Sequence, residues 1–112
     1  MIIAVDFDGV IHEKTEYGDG SLGAPVAGAI EALNALHEQG HDVFIYTSRL
    51  STGWPDYREV RKLTDWLRRH GLTFSLMVTA KPIADVYVDD KALRFSSWAQ
   101  TAAMLDDKTR GA

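Results

Sequence analysis

The sequence predicts an α/β domain of three layers, α/β/α and Rossmann-like, built on a mostly parallel sheet. Two observations carry that prediction. Apolar runs at Met1 to Val5, Val43 to Tyr46 and Val86 to Val88 each break off within one step into polar or acidic residues, as strands buried on both faces do at the open rim of a sheet. Between them lie stretches whose apolar residues recur at helical spacing, so strand and helix alternate as crossover units require.

Composition sets the outer limits. With 112 residues, 46% of them hydrophobic and 25% charged, the chain is sized for one core and no second globular unit. We read residues 1–105 as a single domain and 106–112 as a frayed polar tail. The absence of cysteine excludes disulfides, thiolate metal sites and a cysteine nucleophile, and it suits a reducing compartment. No apolar run is long enough to span a bilayer and no charged leader precedes the first strand, so a cytoplasmic protein without a membrane partner is expected. A net charge of -4 argues only weakly against nucleic-acid partners, because part of it is concentrated where a cation would neutralise it and a local basic face is compatible with it.

The first strand delivers Asp6 and Asp8, followed by Gly9, to the sheet rim. Two carboxylates beside a core are costly unless compensated, and a divalent cation is the simplest compensation. Asp-Phe-Asp-Gly is also a good turn sequence, so these residues alone leave site and turn both open. Val10 to Ala24 is glycine-rich and irregular, a candidate flap in which His12, Glu13, Lys14, Glu16 and Tyr17 lie. A helix is expected from Pro25 to Gly40 on the apolar positions Val26, Ala29, Ile30, Leu33 and Leu36. The strand Val43 to Tyr46 ends in Thr47-Ser48-Arg49. After a loop from Leu50 to Asp56, a second helix carries Tyr57, Val60, Leu63, Thr64 and Leu67 on one face; Trp54 and Tyr57 are of a kind that stacks on a substrate ring, but are expected to cover that helix. That helix closes on Arg68-Arg69-His70-Gly71, where positive charge meets the negative end of the helix dipole. A short strand at Phe74 to Val78, the connection Thr79-Ala80-Lys81-Pro82 and the strand Val86 to Val88 ending in Asp89-Asp90 follow. Arg94 to Ser97 reads as an edge strand or a turn, and Trp98, Ala102 and Leu105 mark a short closing helix.

Three strands thus end in chemically loaded residues, with Lys81 just before the last. At this point the sequence resembles the haloacid dehalogenase superfamily, and within it the compact, capless phosphatases with an aspartate nucleophile. Four motifs carry the resemblance: Asp6-Phe7-Asp8-Gly9-Val10, the strand ending in Thr47, Lys81-Pro82, and Val86-Tyr87-Val88-Asp89-Asp90. It implies a Mg²⁺-dependent phosphomonoester hydrolase that works through a phospho-aspartate. Asp6 would be the nucleophile, and Asp8 would protonate the leaving group and then activate water. Thr47 would bind the phosphoryl group, and Lys81 would offset charge beside it. Gly9, Ser48 and Arg49 would contact substrate, with an ion pair to Asp or Glu an equal claim on Arg49. Mg²⁺ would be held by Asp6, the Asp8 backbone carbonyl and Asp89, with Asp90 binding directly or through water.

The residue two after the nucleophile separates branches of the family, and an acid at Asp8 favours ester hydrolysis. A phosphotransferase of the same superfamily and a non-catalytic metal- or phosphate-binding module are the alternatives. Neither Val10 to Ala24 nor Leu50 to Asp56 is long enough for a separate cap domain, so the site should be open. Its phosphorylated substrate is then a nucleic-acid or protein phosphate end, or a small molecule enclosed by the flap or by a neighbouring subunit.

Overall fold

The computed structural model describes residues 1–14, 20–50 and 57–110, the side chains of 109 and 110 excepted. Four strands form one sheet: β1 (Ile2–Asp6), β2 (Asp42–Tyr46), β3 (Leu76–Val78) and β4 (Val86–Val88). Their spatial order is β3-β2-β1-β4 and all pairs are parallel, the arrangement expected from right-handed crossovers. The helices are α1 (Ala29–Glu38), α2 (Tyr57–Arg69) and α3 (Trp98–Arg110), with a 3₁₀ turn over Ser48–Leu50.

Register explains the core. Ile3 pairs with Val43 and Val5 with Ile45, which puts all four on one face of the sheet. Leu33 of α1 and Leu63, Trp66 and Leu67 of α2 join them in one buried cluster with Phe7, Ile11 and Leu72. Both helices end as the glycines predicted. Gly40 and His41 donate to His37 and Leu36, and Gly71 and Leu72 donate to Arg68 and Leu67, in the paired bonds of a Schellman stop. Leu72 then returns to the core at 5% exposure.

Several expectations need correction. Pro25 does not open the first helix, which begins at Ala29. Pro25 forms an antiparallel bridge with His12, and Val26 donates to the Ile11 carbonyl at 2.8 Å, so long-range pairing claims this segment before the helix does. Proline is tolerated in such a bridge because its missing N–H is not required there. The third strand is shorter than the run from Phe74. Arg94 to Ser97 is neither strand nor regular turn, and α3 continues through Asp106 to Arg110 where a frayed tail was expected. Tyr57 is 79% exposed and covers nothing, while Trp54 and the loop 51–56 lie outside the described residues, as do Glu16 and Tyr17. The β4 side of the sheet is open: Val86, Tyr87 and Val88 are exposed, and on α3, of the side chains described, only Thr101 and Met104 are half-buried.

Candidate active site

The site is assembled by strand ends. Asp6 closes β1, the inner strand between β2 and β4, and pairs in register with Tyr46. One residue past the Val5–Val88 pair stands Asp89, followed by Asp90. Oxygens of Asp6, Asp89 and Asp90 all lie within 4.8 Å of one another. Three carboxylates so close repel unless a proton or a cation intervenes. Burial, then the charge of Asp89, then the hydrogen bond and charge of Asp90 push the Asp6 carboxyl up from 3.8 to about 7, against a weaker pull from the Phe7 N–H.

Asp89 is held in the opposite direction. The Tyr46 hydroxyl donates to it at 2.6 Å and the Lys91 N–H at 2.8 Å, and these bonds, with help from the Lys81 charge, keep its carboxyl below the usual range despite partial burial. Burial and the bond to Asp89 push the Tyr46 phenol upward, so it stays a donor. Asp89 is therefore a fixed anion and Asp6 the group that gains or loses a proton near neutrality. This hard-oxygen donor set fits a divalent cation such as Mg²⁺.

A pH signature follows. Between about pH 4 and about pH 7 the folded chain holds a proton on Asp6 that the unfolded chain has released, so this group's contribution to stability falls as pH rises through that window. A cation bound there takes the proton's place and competes with it. The rise in melting temperature produced by a fixed Mg²⁺ concentration is expected to be larger at about pH 8 than at about pH 5. Thermal melts with magnesium and with chelator check this; an equal rise at both would place the cation elsewhere.

Asp8 stands apart from that cluster. After Asp6 the chain folds into a tight loop in which the Phe7 carbonyl accepts from Ile11 and His12 at 3.0 and 2.9 Å, and Gly9 donates to the His12 carbonyl. Gly9 takes φ 85 there, a conformation costly for residues with a Cβ. The loop turns the Asp8 carboxylate toward Arg49, whose Nε and Nη2 donate to its two oxygens at 2.8 and 3.0 Å. His12 Nδ1 lies 2.9 Å from Asp8 Oδ1. Arg49 is 2% exposed, also donates to the Gly20 carbonyl at 2.9 Å, and lies 3.8 Å from Glu59 of α2. Of the two partners weighed for Arg49, the structure shows the ion pair.

The remaining candidates sit around this frame. Thr47 is buried, donates its N–H to the Val78 carbonyl, and accepts from the Arg49 N–H at its hydroxyl oxygen. Ser48 is exposed at the start of the 3₁₀ turn. Lys81 places its ammonium 4.5 Å from the centre of the Tyr87 ring, beside the cluster, and acts on it through its field at Asp89. The Tyr87 hydroxyl pins the connection by donating to Pro82 and accepting from Ala84. Tyr46 and Tyr87 do not stand out in the sequence as site residues, and His12 does so only as a flap residue able to touch substrate. Only Tyr46 carried a readable signal, since it immediately precedes Thr47 and falls in register with Asp6.

The sheet order and the rim of strand-end carboxylates define an α/β domain of Rossmann-like fold with a carboxylate cluster at its rim. Comparison with solved structures agrees. The chain is similar to a conserved protein from Bacteroides thetaiotaomicron, with TM-score 0.65 and 25% identity over 96% of this chain and 91% of that one. It is also similar to the D,D-heptose 1,7-bisphosphate phosphatase of B. bronchiseptica, crystallised with magnesium and phosphate, with TM-score 0.54 and 18% identity over 94% of this chain and 63% of that one. The second likeness is one of fold alone. No family model and no curated protein matches the chain. Among the described residues no helix is long and apolar enough to cross a membrane.

Proposed function

We propose that the protein is a Mg²⁺-dependent phosphomonoester hydrolase acting through a phosphorylated Asp6. The observation that carries the reading is the convergence of Asp6, Asp89 and Asp90 at the end of an inner strand, with Asp6 as the group of raised proton affinity. Asp6 attacks phosphorus and the ester oxygen departs with a proton from Asp8. Asp8 then takes a proton from the water that cleaves the aspartyl phosphate. Thr47, Ser48 and the backbone at Gly9 face the phosphoryl oxygens, and Lys81 offsets their charge. A Mg²⁺ held by Asp6, Asp89, Asp90 and the Asp8 carbonyl would neutralise the carboxylates and the approaching phosphate.

The test is hydrolysis of an aryl phosphate with magnesium and with chelator, followed by sugar phosphates, nucleotides and phosphorylated oligonucleotides and peptides. Metal-dependent turnover supports the reading, and its absence on every ester sinks it. Lys81→Ala is expected to lose about 10²-fold in kcat with the fold retained, because a charge contact realised in the transition state is removed. A loss below about threefold would show that Lys81 stays on Tyr87 throughout. One observation favours the non-catalytic alternative: Asp8 is engaged by Arg49 and His12 instead of lying free for proton transfer. Magnesium binding without turnover of any ester would select that module.

A further inference from the structure

We propose that His12 is a positioning residue for Asp8, fixing the rotation of its carboxylate for proton transfer to the leaving group; the inference rests on the phosphatase reading above. His12 is wholly buried, which is unusual for a histidine in a glycine-rich loop at the rim of a site. Its ring stacks on Phe7 with centroids 5.2 Å apart and planes 3° from parallel, and meets Trp66 of α2 edge-on at 5.5 Å. Both ring nitrogens are engaged. The Gly23 N–H donates to Nε2 at 2.7 Å, so Nε2 is an acceptor and the proton of the neutral ring sits on Nδ1. That proton is directed at Asp8 Oδ1, 2.9 Å away.

The tautomer is in turn held from outside. The Gly23 carbonyl accepts from Trp66 Nε1 at 2.9 Å, so one residue, through its two flanking peptide groups, ties α2 to the imidazole, and the imidazole to the acid. Arg49 grips both Asp8 oxygens, one donor to each, and that fork alone does not distinguish Oδ1 from Oδ2. The His12 donor comes from a second direction and singles out Oδ1. A histidine held this way neither touches substrate nor needs to change its own proton count; it sets which oxygen of Asp8 is committed to the protein.

Two isosteres separate this role from simple core packing. In His12→Asn the amide nitrogen stands near the Nδ1 position and keeps a donor for Asp8, whereas in His12→Gln the amide oxygen stands near Nε2 and keeps the acceptor for Gly23 while losing the donor. The readout is kcat/KM for an alkyl phosphate against p-nitrophenyl phosphate, because kcat/KM reports transfer to Asp6 and only the alkoxide needs a proton as it leaves. His12→Gln is expected to lower the alkyl-to-aryl ratio about tenfold or more, and His12→Asn to keep it within about threefold of wild type. In an Asp8→Asn background, His12→Gln should not move the ratio further. A Gln variant that slows both esters equally, or an Asn variant that loses the ratio while Gln keeps it, overturns the assignment and leaves the phosphatase intact. No wild-type turnover of either ester overturns the phosphatase reading and this assignment with it. Proton NMR gives a test without turnover: a protected imidazole Nδ1–H resonance should be present in wild type and shift in Asp8→Asn, and its absence in wild type removes the hydrogen bond on which the proposal stands.

Discussion

Asp6→Asn is expected to lower turnover by roughly 10⁴-fold or more, the scale of removing a covalent nucleophile from a site whose members act together. The same change should leave the protein at least as stable as wild type in chelator at about pH 8. Asparagine matches the shape of aspartate, and in wild type the Asp6 charge is formed against burial and against Asp89 and Asp90, which is why its carboxyl is pushed up to about 7. Removing that charge relieves the repulsion. The variant should also lose most of the magnesium-induced rise in melting temperature. Activity assays and paired melts with and without magnesium check all three results; a variant that keeps wild-type turnover would end the role of Asp6 as nucleophile.

Arg49→Met should have the largest effect on stability. Arg49 is almost fully enclosed and donates to both oxygens of Asp8, whose side chain is itself only 12% exposed, and it lies within 4 Å of Glu59. Methionine replaces its apolar volume but leaves Asp8 without its guanidinium and Glu59 with only the more exposed Lys62, 3.9 Å away, to balance it. Breaking a buried pair from one side costs about 3–5 kcal/mol, which for a domain of this size lowers the melting temperature by more than about 10 °C. Arg49→Lys keeps the charge and loses the fork, so it should fall between. Urea or thermal unfolding of the two variants checks the order, and a shift for Arg49→Met of under about 3 °C would mean that water already screens the pair.

What the sequence disclosed was whatever is written in local steps. The abrupt ends at Asp6, Thr47 and Asp89 placed the rim, and Gly40 and Gly71 placed two helix stops, because each depends on a few adjacent residues. What depended on distant partners stayed hidden. Pro25 looked like a helix opener until His12 and Ile11 claimed its neighbourhood. Tyr46 looked like the last core residue of a strand, although its hydroxyl reaches Asp89 from 43 positions away. Arg49 carried two readings because its choice between substrate and carboxylate is made by the loop after β1, which local pattern cannot position. His12 lay in a segment whose composition reads as solvated, and only the packing of Phe7 and Trp66 makes it a core residue. In the candidate site the motif residues are legible as local patterns, but the division into a carboxylate cluster and a separately clamped acid is not.

The place of β4 bears on how the chain becomes functional. Its pairing with β1 joins the start of the sequence to a segment more than 80 positions later: Ile2 and Asp85 exchange hydrogen bonds across 83 residues. Closing a loop of that length must precede any reward from the contact, so this docking is expected to come late in folding. β4 is also short and exposed, with little burial to hold it before the carboxylates meet. Asp6 is therefore alone at its strand end until β4 arrives, and Asp89 and Asp90 complete the cluster in the same step that closes the sheet. A chain stalled before that step has neither cluster nor closed sheet, so a cation bound at the cluster would report the final strand's arrival.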